Sequence, residues 1–149
     1  MAPNTITPMG YYPITKMAAS QFVRSFGKKH DFGTTLFRYT NIYGPSMNLE
    51  RDIPPVVGAF TSKLLNDECP IIYGDGNKKR DFLYINDLTK TIANKVINNN
   101  FSENLIHITS GYYLNLKQVS DIIDKHMGVS AKYMQSGNTD AIKAVMPHI

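Results

Sequence analysis

The sequence predicts an α/β chain with parallel sheet elements, and three observations carry that expectation. Apolar residues recur at helical spacing in four stretches, and short runs rich in β-branched or aromatic residues stand between them. Prolines, glycines and asparagine-aspartate pairs punctuate the alternation. The 149 residues are 42% hydrophobic, which at the size of one ordinary domain suffices for a real core. Strands alternating with helices pair in parallel, because a parallel connection needs a crossover element.

Ile14, Met17, Ala18, Phe22 and Phe26 fall at steps of three and four and predict a first helix, stopped by Gly27 and the Lys28-Lys29 pair. Leu36 to Tyr39 reads as a strand closed by a turn at Tyr43-Gly44-Pro45. Val56, Val57, Phe60, Leu64 and Leu65 give a second helix, opened by Pro54-Pro55 where a missing amide hydrogen does no harm. Ile71 to Tyr73 is a short strand, Gly74 to Asn77 a turn, and Asp81 to Ile85 another strand, with Asn86-Asp87 as the cap of a third helix through Leu88, Ile92 and Val96. Leu105 to Ile108 is a strand, and Leu116, Val119, Ile122, Ile123 and Met127 mark a fourth helix ended by Gly128. After Tyr133 no periodicity is strong, and Ala141 to Ile149 reads as the opening of an element that is cut off.

Charge and composition exclude several function classes. The net charge of +4 comes from scattered lysines, with only Lys28-Lys29 and Lys78-Lys79-Arg80 in runs, which is too thin a basic footprint for nucleic acid. No apolar run approaches the roughly 20 residues of a membrane span, and Met1 to Gly10 lacks the basic and apolar regions of a secretory signal. Cys69 is the single cysteine, so no internal disulfide or cysteine metal cluster forms, and a buried thiol in a cytoplasmic protein is expected. His30, His107, His126 and His148 show no ligand spacing, so no metal site is expected, and His107 reads as a structural histidine in a strand. Asp75 and Asp81 read as caps of the glycine turn and the following strand. Gly74 and Gly76 precede a strand and lack a third glycine, so they are no dinucleotide loop.

Tyr12 and Lys16 are the candidate acid/base pair. Four residues apart on a helix, they share a face, and an ammonium beside a phenol favours the phenolate, which makes tyrosine a usable base. The same spacing recurs at Tyr113 and Lys117, so spacing alone does not single out the first pair. Pro13, directly after Tyr12, disfavours helical geometry at the tyrosine unless the helix begins there.

Three ordered blocks supply the context: Pro8 to Lys16, Arg38 to Pro45 (Arg-Tyr-Thr-Asn-Ile-Tyr-Gly-Pro), and Tyr73 to Phe82 (Tyr-Gly-Asp-Gly-Asn-Lys-Lys-Arg-Asp-Phe). Together they resemble the extended short-chain dehydrogenase/reductases that act on nucleotide sugars, the NAD-dependent epimerases and dehydratases, from about Pro8 to Gly137. Ile106 to Met127, with Ser110-Gly111 between strand and helix, is similar to that family's substrate-domain end. The resemblance implies the tail of a Rossmann-type parallel sheet in residues 1–44, the C-terminal remnant of an NAD-binding domain. It implies a smaller α/β substrate-binding domain, cut at its C-terminus, in residues 45–149. It assigns Tyr12 as the catalytic tyrosine and Lys16 as the lysine holding the nicotinamide ribose. Thr40 falls at the nicotinamide end of the cofactor. Asn41 and Arg80 become contacts of the nucleotide sugar's phosphates or ribose, and Ile71 and Tyr73 offer backbone along the base.

The family's strand, glycine-rich turn and helix for the cofactor pyrophosphate have no counterpart before Tyr12. Nor does the upstream serine or threonine that bonds the substrate hydroxyl, since Asn4, Thr5 and Thr7 lie too close to the tyrosine. Gln135-Ser136-Gly137-Asn138 stands where the family has an arginine, a proline, a glycine and an aspartate, which weakens diphosphate binding. The expectation is therefore a fragment of an NAD-dependent nucleotide-sugar epimerase or dehydratase, inactive by itself. The alternatives are one half of a split enzyme completed by a separate Rossmann-half chain, and a non-catalytic nucleotide-sugar binding module. A homodimer is a further partner the resemblance admits.

Overall fold

The computed structural model describes residues 10–51, 54–100, 105–128 and the backbone of 134–136. The α/β expectation holds. Among the described residues four helices, α1 (Tyr11–His30), α2 (Val56–Leu65), α3 (Ile85–Ile97) and α4 (Leu116–Met127), alternate with seven short strands. These are β1 (Leu36–Tyr39), β2 (Asn41–Tyr43), β3 (Ile71–Tyr73), β4 (Arg80–Tyr84), β5 (Leu105–Ile108), β6 (Tyr113–Leu114) and β7 (Met134–Ser136). They form three small sheets, β1-β5, β2-β4-β6 and β3-β7, parallel throughout except where β6 runs against β4. Because β5 returns to pair with β1, Leu36 against Leu105, the sheet of the first 44 residues takes a strand from the later part of the chain.

β4 is the wall shared by two cores. Side chains alternate across a strand, so Phe82 points into a cluster with Phe60, Ile72 and Val119, while Leu83 points into another with Leu88 and Ile108. A strand covered on both faces reads as a continuous apolar run, which is why Phe82-Leu83 lacks polar alternation. Asp81, two residues before Leu83, shares its face toward the β1-β5 side.

Several boundaries differ from the sequence expectation for local reasons. Helix α1 does not stop at Gly27 but runs to His30 and is closed by Asp31, whose left-handed backbone (φ 54°) turns its N–H onto the Gly27 carbonyl. Gly27 is the buried residue of α1, and a Cβ there would come within 2.4 Å of Thr34 Cγ2. The helix starts at Tyr11, which makes Pro13 its third residue, where an amide hydrogen would have no intrahelical acceptor. Tyr12 is therefore helical despite the proline. The expected turn is present at Pro45-Ser46, one to two residues late, because Asn41–Tyr43 first forms a strand paired with Phe82–Tyr84. Helix α3 begins at Ile85, with Tyr84 as its cap and no capping side chain, so Asn86-Asp87 lies inside the first turn, where the Asp87 charge opposes the helix dipole. The fourth helix ends as expected at a left-handed Gly128 and starts with a capping box between Asn115 and Gln118. Strands β6 and β7 had no counterpart in the sequence reading.

Cys69 is half-buried. His107 lies in strand β5 as expected, exposed and paired in register with Arg38. No helix among the described residues is long and apolar enough to cross a membrane. Ala141 to Ile149, Tyr133, His148, Gly137-Asn138 and the segment before Gly10 lie outside the described residues.

Candidate functional site

Tyr12 and Lys16 sit one turn apart near the start of α1, as their spacing requires, with the Lys16 ammonium 5.4 Å from the centre of the Tyr12 ring. Tyr12 is 73% exposed, so its phenol is open to a ligand. Thr15 Oγ1 donates to the Tyr12 carbonyl at 2.9 Å and Ser20 Oγ to the Lys16 carbonyl at 2.8 Å, bonds that leave both functional groups unspent.

The second cluster is built at the carboxyl ends of parallel strands. Thr40 follows β1 and Ser110-Gly111 follows β5, so both leave the same edge of the same sheet. Asp81, buried at 4% exposure in β4, meets both. Its Oδ1 accepts from Thr40 Oγ1 and from the Ser110 N–H at 3.0 Å; its Oδ2 accepts from Ser110 Oγ at 2.9 Å and the Gly111 N–H at 2.9 Å. The Asp81 carbonyl accepts from Asn41 Nδ2 at 2.9 Å. Burial pushes this carboxyl up, but the hydrogen bonds from Thr40, Ser110 and Gly111 outweigh it and hold Asp81 below the ordinary carboxylate range. The side chain read as a strand cap is thus the hub of the site. The signal in the sequence was an acid placed directly before the apolar pair Phe82-Leu83, where burial of a charge demands partners.

Arg80, next to Asp81, starts β4 with its side chain exposed and lies opposite Leu114. The glycine turn before it is tied by two hydrogen bonds: the Asn77 N–H donates to Asp75 Oδ1 at 3.0 Å and the Leu116 N–H to the Gly76 carbonyl at 3.2 Å. The Asn77 amide bond is the main reason the Asp75 carboxyl lies below its usual value, and Asp75 is the turn residue expected. Ile71 and Tyr73 flank the fully buried Ile72 on β3, and Tyr73 is 44% exposed. Asp81 therefore brings Thr40 and Asn41 into one cluster, with Arg80 as its chain neighbour, while Tyr12-Lys16 on α1 and Ile71-Tyr73 on β3 lie outside its hydrogen bonds. Among the described residues no group of His, Cys, Asp and Glu could hold a metal ion.

Residues 2–124 match the model of the NAD dependent epimerase/dehydratase family. A putative UDP-glucose 4-epimerase of Methanocaldococcus jannaschii is 27% identical over 125 residues, which is 84% of this chain and 40% of the relative. A dTDP-D-glucose 4,6-dehydratase of Dictyostelium discoideum is 34% identical over 57% of this chain and 19% of its own length. In fold, the chain is similar to the UDP-glucose 4-epimerase of Thermotoga maritima solved with UDP-glucose (TM-score 0.76, 22% identity, 89% of this chain and 45% of that one). It is also similar to the UDP-N-acetylglucosamine 4-epimerase of Methanobrevibacter ruminantium solved with UDP-N-acetylmuramic acid (TM-score 0.75, 24% identity, 91% and 46%). The chain thus spans less than half the length of these relatives. With most of its sequence matched by one family model and its fold shared with epimerases, the chain belongs to the NAD-dependent epimerase/dehydratase family.

Proposed function

We propose that the chain forms the nucleotide-sugar side, and the nicotinamide end of the cofactor side, of an NAD-dependent nucleotide-sugar epimerase or dehydratase that oxidises a sugar hydroxyl to a keto intermediate. Residues 1–44 close the cofactor domain, to which β5 returns, and residues 45–149 make the substrate domain. The observation that carries this reading is the meeting of Thr40 and Asn41 at Asp81, beside the carboxyl ends of β1 and β5, the edge where open α/β sheets take ligands, with Arg80 the preceding residue of β4.

The chemistry of each group supports its role. Arg80 presents a guanidinium fork suited to diphosphate oxygens, and Asn41, with one amide hydrogen spent on the Asp81 carbonyl, keeps the other for the same anion. Backbone of Ile71 and Tyr73 lines the base. Tyr12 Oη accepts the sugar hydroxyl proton and later returns it, and the Lys16 ammonium over its ring steadies the phenolate. NAD, when bound, supplies the hydride acceptor and donor. Tyr12, Lys16 and the main chain of Thr40 suit its nicotinamide end, since the Thr40 hydroxyl is already committed to Asp81. Among the described residues no strand, glycine turn and helix suit its pyrophosphate, because Gly74 and Gly76 lie between two strands. In this reading the described residues bind a nucleotide-diphosphate sugar, and turnover awaits a Rossmann-type half, from a separate chain or further sequence.

The test is calorimetric titration of UDP-glucose into the 149-residue protein without NAD. Binding that falls at least about tenfold in Arg80→Ala supports the reading, since a lost charge-assisted bond is worth about 1.5–3 kcal/mol. No binding, or binding indifferent to Arg80, overturns it.

A further inference from the structure

The chain passes from the β1-β5 sheet to the β2-β4-β6 sheet twice, at Thr40 between β1 and β2 and at Ser110-Gly111 between β5 and β6. Both crossings meet one side chain. The two oxygens of Asp81 accept four bonds, two from hydroxyls and two from main-chain N–H groups, and a carboxylate has about four acceptor sites. Every partner donates, so the ionised carboxylate saturates the set and an amide in its place could not. Gly111 adopts φ +81°, a backbone shape that side chains rarely take, and its N–H reaches Asp81 Oδ2 at 2.9 Å. The Asp81 carbonyl in turn accepts from Asn41 Nδ2, and the chain neighbour of Asp81 is Arg80.

We propose that Asp81 is a positioning residue: it pins the two crossings to each other, and so holds Asn41 and the start of β4, where Arg80 stands, against Thr40. The pin itself stands on the hydrogen bonds; its effect on a ligand rests on the reading of Arg80 and Asn41 given above. Asp81 touches no ligand, and its influence on binding passes through the crossings.

Two-dimensional amide spectra of the full 149-residue protein test the pin, and titration with uridine diphosphate tests its consequence. Asp81→Asn removes the acceptor that the loop amides use, and Ser110→Ala removes one hydroxyl from the same carboxylate while touching neither Thr40 nor Arg80 and serves if the first variant fails to fold. In both, the Gly111 and Thr40-Asn41 amide signals shift together, and the uridine diphosphate dissociation constant rises about three- to tenfold, the size of a coupling carried through a network. Arg80→Ala, by contrast, loses the ligand while leaving the Gly111 and Thr40 signals in place. Shifts confined to residues near 110, or wild-type affinity in both variants, overturn the proposal. If the unaltered protein does not bind uridine diphosphate, the functional reading falls, and the coupled or uncoupled shifts still decide the pin.

Discussion

Replacing Gly27 by alanine sets two opposed effects against each other at the base of the helix that carries Tyr12 and Lys16. Alanine in place of glycine inside a helix gains about 1 kcal/mol from propensity. The added Cβ, however, would stand 2.4 Å from Thr34 Cγ2 and 3.0 Å from the Phe32 carbonyl oxygen, where ordinary contacts begin at 3.4 Å. Thr34 is 8% exposed and has little room to retreat, and the Phe32 carbonyl belongs to the segment whose N–H bonds Gly27 O at 3.1 Å. Overpacking of this kind costs about 1–3 kcal/mol, so the net expectation is a loss of about 1 kcal/mol. The assay is urea unfolding followed by circular dichroism, run as a cycle with Thr34→Ser, which deletes the clashing methyl and keeps the hydroxyl. The double variant should recover at least about 0.5 kcal/mol relative to the sum of the single changes. A Gly27→Ala protein more stable than the parent, or a strictly additive cycle, would refute the reasoning that close packing, not helix propensity, put glycine there.

Ile72→Ala, at a residue with no exposed surface in the larger core, should cost about 2–5 kcal/mol in the same unfolding assay. Asn115→Ala removes the cap of α4 and should cost about 1 kcal/mol, with the loss recovered in Asn115→Ser. Asp124 has a buried Oδ1 without a hydrogen-bond partner; burial, and then the Asp121 charge, raise its carboxyl above the ordinary 3.8. Its charged form therefore burdens the fold above that raised value and ceases to as pH falls below 3.8, so Asp124→Asn should raise the melting temperature at pH 7 and not at pH 3. Asp81 runs the other way: its carboxyl is held low, so its contribution is complete above 3.8 and is lost as pH falls through its lower folded value, and acid unfolding should begin at higher pH in Ser110→Ala.

Elements marked by local chemistry were legible in the sequence. Helices α2 and α4 start and stop where Pro54-Pro55 and Gly128 say they do, because caps act within a few residues. Strands of two or three residues such as β2, β6 and β7 have too little length for a period, and they exist because of a partner elsewhere, as Asn41 exists in strand because of Phe82. The same holds at the site. Tyr12 and Lys16 are a local pair, but Tyr113 and Lys117 share their spacing, so it is the ordered motifs around them that single them out, as they do Arg80. Asp81 reaches Thr40 across 41 residues and Ser110 across 29, and no local pattern encodes those partners. His107 lies in a strand as expected, but its exposure is set by its neighbours and not by local pattern.

In the proposed function these residues complete a nucleotide-sugar oxidation site only with a Rossmann-type half, through Tyr12. Incubating the 149-residue protein with NAD and UDP-glucose, alone and with an N-terminal Rossmann half of a family member supplied in trans, and following sugar inversion or keto-sugar formation tests it most directly. The expected result is no turnover alone, turnover on complementation, and its loss by at least about a hundredfold in Tyr12→Phe, the scale of a removed general base. Turnover by the 149 residues alone, or a complemented reaction that survives Tyr12→Phe, would contradict it.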